Sequence, residues 1–323
     1  MRYLSMIVLN VLTACLPIAR ANINSDLKRF EFKQYHMGVD VRIVLYAATE
    51  DKAVSAASAA FERFAQLDDI MSDYRANSEL MQLCAQAGGP PVKVSDTLYR
   101  VLERSQSVAQ LSNGAFDVTC SPVVKLWRIA RKAKSMPPTD DLKKALKLVS
   151  WKNLVLDPKA MTAMLLIPGM LLDLGGIGKG YGDDCAQEVL KKHGIKSALV
   201  EAGGDIVVSD PPPGKKGWLV RIDTGGKMLS ETDLTFSNAA ISTSGDTEQF
   251  VEIGGVRYSH IVDPHTGLGL TNRIAVTVVA ANGLTSDSLT KVVSVLGPDR
   301  ARETLKHFNV KKIYVKYPDG VAH

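Results

Sequence analysis

The chain has 323 residues, 46% of them hydrophobic, and a formal net charge of +5. That size and apolar share suit a globular protein of one large domain or two smaller ones. The charge excess is small and spread out, with no basic run interleaved with aromatics, which speaks against nucleic acid as a partner.

The N-terminus reads as a targeting segment. Arg2 is a minimal positive region, Leu4 opens a short apolar run to Leu12, and Ala19-Arg20-Ala21 is a cleavage site of the A-x-A kind before Asn22. The apolar run is too short to span a bilayer. A second reading stands beside it: Leu12-Thr13-Ala14-Cys15 resembles a bacterial lipobox, with Cys15 lipidated as the mature N-terminus. Both readings predict export to the periplasmic side of a bacterial membrane, free in one case and attached to the inner membrane by lipid in the other. The signal is residues 1–21, or ends before Cys15 in the lipoprotein reading, and 22–323 form the folded domain.

Residues 30–45 alternate and carry β-branched side chains, which predicts two strands joined by a turn at Met37-Gly38. Residues 52–71 repeat apolar positions (Ala56, Ala60, Phe64, Leu67, Ile70) at helical spacing. A second helix is predicted over 95–111, capped by Ser95 and ended by Asn113-Gly114. A third spans 122–134, and a short one capped by Thr139 runs to Leu148. The three cysteines beyond the targeting segment, Cys84, Cys120 and Cys185, are far apart and form no C-x-x-C, so they read as small buried hydrophobes rather than a zinc site or disulfide framework.

The apolar run 164–172 (MLLIPGMLL) predicts a buried strand. It meets DLGGIGKGYGDD, residues 173–184, which holds five glycines (Gly175, Gly176, Gly178, Gly180, Gly182) around Lys179. A helical pattern follows over 183–193, closed by Gly194. Glycines let backbone N–H groups approach a ligand, and a helix N-terminus attracts anions. Strand, glycine turn with lysine, then helix is one way a chain grips a phosphate. It is not a P-loop: Asp173 stands where the first glycine belongs and Gly180 follows the lysine. The plain alternative is a tight connection with a solvated lysine.

Beyond it, 195–208 reads as strand, Gly203-Gly204 turn, strand. Further strands are predicted at 218–223, 239–243, 249–253, 274–280 and 310–315, and helices at 286–296 and 298–308. Strands and helices mix without strict βαβ alternation, which predicts an α+β fold in one compact domain.

Other segments carry candidate chemistry. Phe116-Asp117 pairs a ring with a carboxylate ahead of strand-like Val118-Thr119, and Asp117 can equally cap a turn. Thr243-Ser244-Gly245-Asp246 offers hydroxyls at a turn. His260 lies at a strand end, where an imidazole of ordinary pKa near 6.5 is a candidate proton carrier. Asp287 sits near the start of the helix over 286–296, where a dipole favours a carboxylate; it can also hold a hard cation. Lys291 is four residues on, so it shares a helix face with Asp287.

In their order, these segments resemble the ApbE-like FAD:protein FMN transferases, also called flavin transferases. The matching stretches are Met37-Gly38; Tyr74 with Asn77-Ser78-Glu79-Leu80; Phe116-Asp117-Val118-Thr119; Asp173-Leu174-Gly175-Gly176-Ile177 with Lys179-Gly180-Tyr181; Gly203-Gly204-Asp205; Thr243-Ser244-Gly245-Asp246; His260-Ile261-Val262-Asp263-Pro264 with Thr266-Gly267; and Asp287 with Leu289 and Gly297. They cover nearly the whole mature chain.

The resemblance implies the family's single α+β domain, with mixed and antiparallel sheets and flanking helices. It implies FAD as substrate, contacted at the positions of Met37, Tyr74, Ala115, Phe116, Asp117, Asp173, Lys179 and Ile261. It implies Mg²⁺ held by the Gly176 carbonyl and Asp287, with Thr290 close by. The reaction would split FAD between its phosphates, release AMP and attach FMN to a Thr or Ser hydroxyl of an exported flavoprotein, such as a subunit of a membrane redox complex. His260 is the best candidate base, with Asp287 beside it in the catalytic set. A weakly active FAD-binding protein, and a pyrophosphatase giving FMN and AMP, are the alternatives.

This chain departs from the family pattern at Val39 and Cys84 and, with more consequence, at Lys291, where the family usually has threonine. Two like charges a few Å apart repel by about 4 kcal/mol at an effective dielectric near 20, so a lysine there weakens a cation site or replaces it.

Overall fold

The computed structural model describes residues 27–222, 232–245 and 249–317. The expected targeting segment with Arg2 and Cys15, the expected strand end at Asp223, and Asp246 lie outside the described residues.

The first part of the chain forms β1 (Lys28–His36), β2 (Val39–Ala47), α1 (Glu50–Met71), α2 (Glu79–Ala85), β3 (Val92–Lys93), α3 (Asp96–Leu111), α4 (Ser121–Ala133) and α5 (Thr139–Leu146). The middle forms β4 (Leu154–Asp157), β5 (Thr162–Leu165), α6 (Gly178–Lys192), β6 (Ala198–Ala202), β7 (Asp205–Val208), β8 (Trp218–Ile222), β9 (Thr232–Phe236) and β10 (Ala239–Ser244). The last part forms β11 (Phe250–Ile253), β12 (Val256–Ser259), β13 (Ala275–Ala280), α7 (Gly283–Leu296), α8 (Pro298–Lys306) and β14 (Val310–Lys316).

Seven strands make the main sheet, in the order β1-β2-β6-β7-β10-β13-β14, and every pairing in it is antiparallel. Period-2 alternation sorts the two faces. Val41, Ile43 and Leu45 of β2 face α1 and α6, packing against Ala53, Ala56, Ala60, Phe64, Ala186 and Leu190. Val44, on the opposite face, packs with Leu199, Ile241 and Val279 against Trp218, Val220 and Ile222 of β8. The small alanines of α1 let that helix lie close to the sheet, and each large side chain buried there, such as Phe64, contributes about 1.5–3 kcal/mol. The third layer gathers α2, α3 and α7 with the small sheet β3-β5-β4 around Leu80, Leu98, Leu102, Leu165, Leu172 and Val292. The α+β expectation holds.

The β1–β2 turn falls where the sequence predicts it, with Met37 at φ 50° and Gly38 at φ 80°. Ser95 caps α3 by accepting the Leu98 amide at 3.2 Å. Several local expectations are overturned. The run 164–172 is not a strand throughout: β5 ends at Leu165, because Pro168-Gly169 breaks the ladder and the remainder crosses the core as irregular chain. Val118-Thr119 is a 3-10 turn capped by Asp117 rather than strand. Thr139 is the first residue of α5, not its cap. α6 begins at Gly178, five residues before the predicted start, so Lys179 lies in its first turn. α7 begins at Gly283, capped by Asn282, which moves Asp287 into the second turn. α2 and the strands β4, β9 and β12 carry no strong signal in the sequence.

Candidate functional site

The site is built where α6 and α7 cross. A Cβ placed on Gly180 would sit 2.2 Å from the Gly283 carbonyl oxygen, and one on Gly283 would sit 2.1 Å from that of Gly180. No side chain fits between them, so the two helices touch backbone to backbone. Each then caps the other. The Gly180 amide, a donor of the first turn of α6, reaches Asp287 Oδ2 of α7 at 3.1 Å. The Gly283 and Leu284 amides of α7 donate to Asp184 of α6 at 2.7 and 2.8 Å. An orphan first-turn N–H finds a carboxylate in both directions.

Around this crossing lies a buried charge cluster. Lys179 Nζ is 3.0 Å from Asp205 Oδ2, at the start of β7, and 3.9 Å from Asp287 Oδ2. Lys291 contacts Asp287 Oδ1 directly. Asp287 is fully buried, and burial alone would raise its pKa; Lys179 and Lys291 outweigh that and hold the carboxyl below the usual range. Asp205 and Asp287 likewise outweigh the burial of Lys179 and keep its ammonium charged. Asp183, one turn after Lys179, is buried with both carboxyl oxygens unpartnered; burial, with Asp205 and Asp184 nearby, pushes its pKa far up. The lysine side chains keep 21% and 15% of their surface exposed, against 0% for Asp287. Solvent therefore reaches the cationic members of the cluster.

The other predicted residues surround it. A Cβ on Gly176 would lie 3.3 Å from the Phe116 ring and 3.6 Å from the Lys291 stem, so glycine turn, ring and lysine are neighbours. Met37 packs over α6, its methyl 3.5 Å from the Cβ position of Gly178. Asp173 accepts from Arg128 Nη2 at 2.8 Å, Arg128 also pairs with Asp73, and its guanidinium stacks 4.6 Å from the exposed Tyr74 ring. Ala115 and Phe116 are buried in the loop after α3. That loop is latched to the 260–267 loop, which carries Ile261, by His265 Nε2 against the Asn113 carbonyl at 2.8 Å.

His260 Nδ1 lies 3.1 Å from the Gln249 carbonyl. A carbonyl only accepts, so Nδ1 carries the hydrogen and Nε2 holds the lone pair. Burial lowers its pKa to about 4; the Gln249 hydrogen bond opposes this, and Lys291, Arg131 and Lys179 add to it.

Two predicted residues are engaged inside the fold. Asp117 accepts from the Thr119 amide and hydroxyl at 2.8 and 2.7 Å and from the Trp151 amide at 2.8 Å. Thr290 Oγ1 bonds to the Asp287 carbonyl at 2.7 Å and to Ser244 Oγ at 2.8 Å. The amides of Gly175, Gly178 and Gly180 are also taken, by Asp173, Leu174 and Asp287, so the glycine turn does not present them to a phosphate. A cavity of about 520 Å³ beside Asn113, Asp263, His265 and Arg300 is lined by none of the predicted residues.

The model of the ApbE family matches residues 37–314. The chain belongs to the ApbE family. Among its ApbE relatives, the FAD:protein FMN transferase of Treponema pallidum is 33% identical over 88% of this chain and 83% of its own length. That of Klebsiella pneumoniae is 29% identical, covering 87% of each chain. The solved flavin transferase ApbE from Vibrio cholerae superposes with a TM-score of 0.81 at 27% identity, over 92% of this chain and 97% of that one.

The Mg²⁺ implied by the ApbE resemblance does not fit the donors present. Magnesium asks for near-octahedral oxygen ligands. Here one Asp287 oxygen touches an ammonium and the other takes a backbone amide with a second ammonium 3.9 Å away. The Thr290 hydroxyl is already bonded, and among the described residues no group of three or more His, Cys, Asp or Glu is arranged to hold a metal.

Sequence reasoning gave no individual role to Arg128, Asp183, Asp184 or Asp205. Asp183 and Asp184 could be found once α6 is started at Gly178, which sets Asp183 one turn from Lys179; Asp205 reaches Lys179 only through the fold. Arg128 has no local signal; only the fold brings it to Asp173.

Proposed function

We propose that the protein transfers the FMN half of FAD to a hydroxyl of an acceptor protein, releasing AMP. The observation that carries this reading is a pair of lysines with partly exposed side chains at the α6–α7 crossing, within electrostatic reach of a His260 imidazole whose low pKa keeps it neutral and whose Nε2 has no hydrogen-bond partner among the described residues. Attack on a diphosphate needs positioning and charge neutralisation more than covalent help. Lys179, fixed by Asp205, sets positive charge at the first turn of α6, where the helix dipole adds to it. Phe116 supplies an apolar face next to the glycine turn. Tyr74 and the Arg128 guanidinium, which bridges Asp73 and Asp173, form a flat rim there.

His260 takes the proton from the acceptor hydroxyl at Nε2. The oxygen bonds to the FMN phosphorus, the bridging P–O bond breaks, and AMP leaves carrying that oxygen. The low pKa of His260 keeps it neutral and able to accept at neutral pH. An arriving diphosphate raises that pKa and strengthens the base. No step is routed through a metal.

The test is purified protein, FAD and a Thr-containing acceptor flavoprotein, read by acceptor mass and AMP. Equal yields of FMN-labelled acceptor and AMP are expected. AMP without labelled acceptor would make the protein a pyrophosphatase, and bound FAD with neither product a binding protein.

Export belongs to the same proposal, supported by Arg2, the apolar run from Leu4 and Ala19-Arg20-Ala21. Acceptors would then be exported flavoproteins, such as subunits of membrane redox complexes. The mature N-terminus, read by mass spectrometry, is Asn22 for a free periplasmic protein and lipidated Cys15 for an anchored one. An unprocessed Met1 sinks the export proposal.

A further inference from the structure

Two features of the charge cluster ask for an explanation. The first is that Asp287, the carboxylate expected to hold a cation, faces two ammonium groups instead. The second is the position of Lys291. Its stem lies 3.6 Å from the Cβ position of Gly176, next to Phe116, and its head contacts Asp287, so the ammonium sits between the glycine turn and α7. That is where a cation bound by the Gly176 turn and Asp287 would have to be. Four-residue spacing on α7 makes the contact short and fixed.

We infer that Lys291 stands in place of a divalent cation, so that the diphosphate of FAD is bound by the Lys291 and Lys179 ammonium groups without Mg²⁺. The inference rests on the flavin reading above and deepens it.

Charge bookkeeping in the cluster supports it. Lys179 is neutralised mainly by Asp205 at 3.0 Å. Asp287 pairs with Lys291, while burial pushes the pKa of Asp183 up and so disfavours its charged form, its carboxyl oxygens having no hydrogen-bond partner among the described residues. A Mg²⁺ ion entering beside Asp287 would meet both ammonium groups within a few Å, in a pocket whose Thr290 hydroxyl is already spent on Ser244 and the Asp287 carbonyl. An anion arriving from solvent meets instead the two members of the cluster that solvent reaches. A phosphate oxygen gains a charge-assisted hydrogen bond from a lysine without having to displace water from a metal. The lysine is permanent, so occupancy does not depend on free Mg²⁺.

The experiment measures FAD affinity by flavin fluorescence in EDTA and in millimolar Mg²⁺, for the wild type and for Lys291→Thr. The wild type is expected to bind equally in both buffers. Lys291→Thr is expected to lose affinity in EDTA by about tenfold or more, the cost of one charge-assisted contact, and to recover it in Mg²⁺. Mg²⁺ should raise the melting temperature of Lys291→Thr with FAD bound and leave that of the wild type unmoved. If threonine leaves Asp287 too poorly matched to fold, Lys291→Arg and Lys291→Gln carry the same test: arginine keeps metal-independent binding, and glutamine loses affinity in both buffers.

Wild-type binding that collapses in EDTA overturns the role given to Lys291 while leaving the flavin reading intact. So does undiminished binding by Lys291→Thr or Lys291→Gln in EDTA. A wild type that binds FAD in neither buffer overturns the flavin reading itself.

Discussion

Two regions of this molecule pair aspartates with cations, and they differ in what holds the pairs in place. At the α6–α7 crossing, Asp287 and Asp205 are almost wholly buried, and the two helices that carry the lysines touch backbone to backbone through Gly180 and Gly283. At the rim, Arg128 holds Asp73 and Asp173, whose side chains are 9% and 11% exposed, and stacks on Tyr74, which is 78% exposed. The chemistry is alike, but the cost of a change is not. Removing one member of a buried pair strands a desolvated charge, at about 3–5 kcal/mol. At the rim one guanidinium spans two carboxylates that are themselves mostly buried, so a change that keeps the positive charge costs less than one that removes it. The crossing should therefore report through folding, and a charge-conserving change at the rim chiefly through ligand affinity.

The sharpest way to break this contrast is Gly180→Ala. The added methyl would lie 2.2 Å from the Gly283 carbonyl oxygen and 2.8 Å from the Asp287 Cβ. Backbone on one side cannot rotate away, so α6 and α7 must separate and both reciprocal caps are lost. A loss of about 3 kcal/mol or more in urea unfolding is expected. A loss below about 1 kcal/mol would mean that the crossing yields easily and is no more rigid than the rim.

Next in size is His260, which lies within the electrostatic reach of Lys291 and Lys179 and, among the described residues, is hydrogen-bonded only to the Gln249 carbonyl. His260→Ala should lower transfer by about a hundredfold or more while the melting temperature changes little. Full activity would remove it as the base. Its pKa also sets a pH dependence. The folded value of about 4 lies below the unfolded value near 6.5, so the unfolded chain binds more protons between them. Its contribution to stability is complete above the unfolded value and is lost as pH falls through the folded one. In the same way, the acid limb of kcat/KM, which reports the free enzyme, should lie nearer 4 than 6.5. A limb at the ordinary imidazole value would show that the ring is solvated.

A third comparison is Asp184→Asn. The amide keeps one acceptor oxygen for the two amides of Gly283 and Leu284 and presents a donor to the other. About 1 kcal/mol should be lost, the usual scale for a helix cap, with FAD affinity unchanged. An effect confined to affinity would place Asp184 on the ligand side instead.

How much of this was legible follows the same division. Periodic apolar positions in α1 and α3, the turn at Met37-Gly38 and the alternation in β2 and β13 are local signals, and they predict the right elements. Five glycines in eight residues read as a turn because glycine is a poor helix former. The structure spends Gly178, Gly180 and Gly182 inside α6, since close contact with Met37, Gly283 and Phe64 outweighs propensity. That requirement comes from elements far along the chain, so no window around the motif contains it. Lys291 beside Asp287 was readable from four-residue spacing, and the structure joins them. Arg128, reached only through the packing of α4 on the Asp173 turn, was not readable at all.

The smallest effect tests the rim. Arg128→Lys keeps the charge but removes the planar fork that spans Asp73 and Asp173 and the flat face stacked 4.6 Å from Tyr74. Lysine reaches one carboxylate at a time and gives up the stacking, worth about 0.5–1 kcal/mol at an exposed ring. Stability should fall by no more than about 1 kcal/mol, because the ammonium keeps a positive charge beside the two carboxylates, whose side chains are only 9% and 11% exposed. FAD affinity should fall by about two- to fivefold, because Tyr74, no longer held by the guanidinium, must be ordered when the ligand binds. If unfolding shifts as far as it does for Gly180→Ala, the rim is part of the framework, and Asp173 is held by Arg128 to support the glycine turn rather than to meet the ligand.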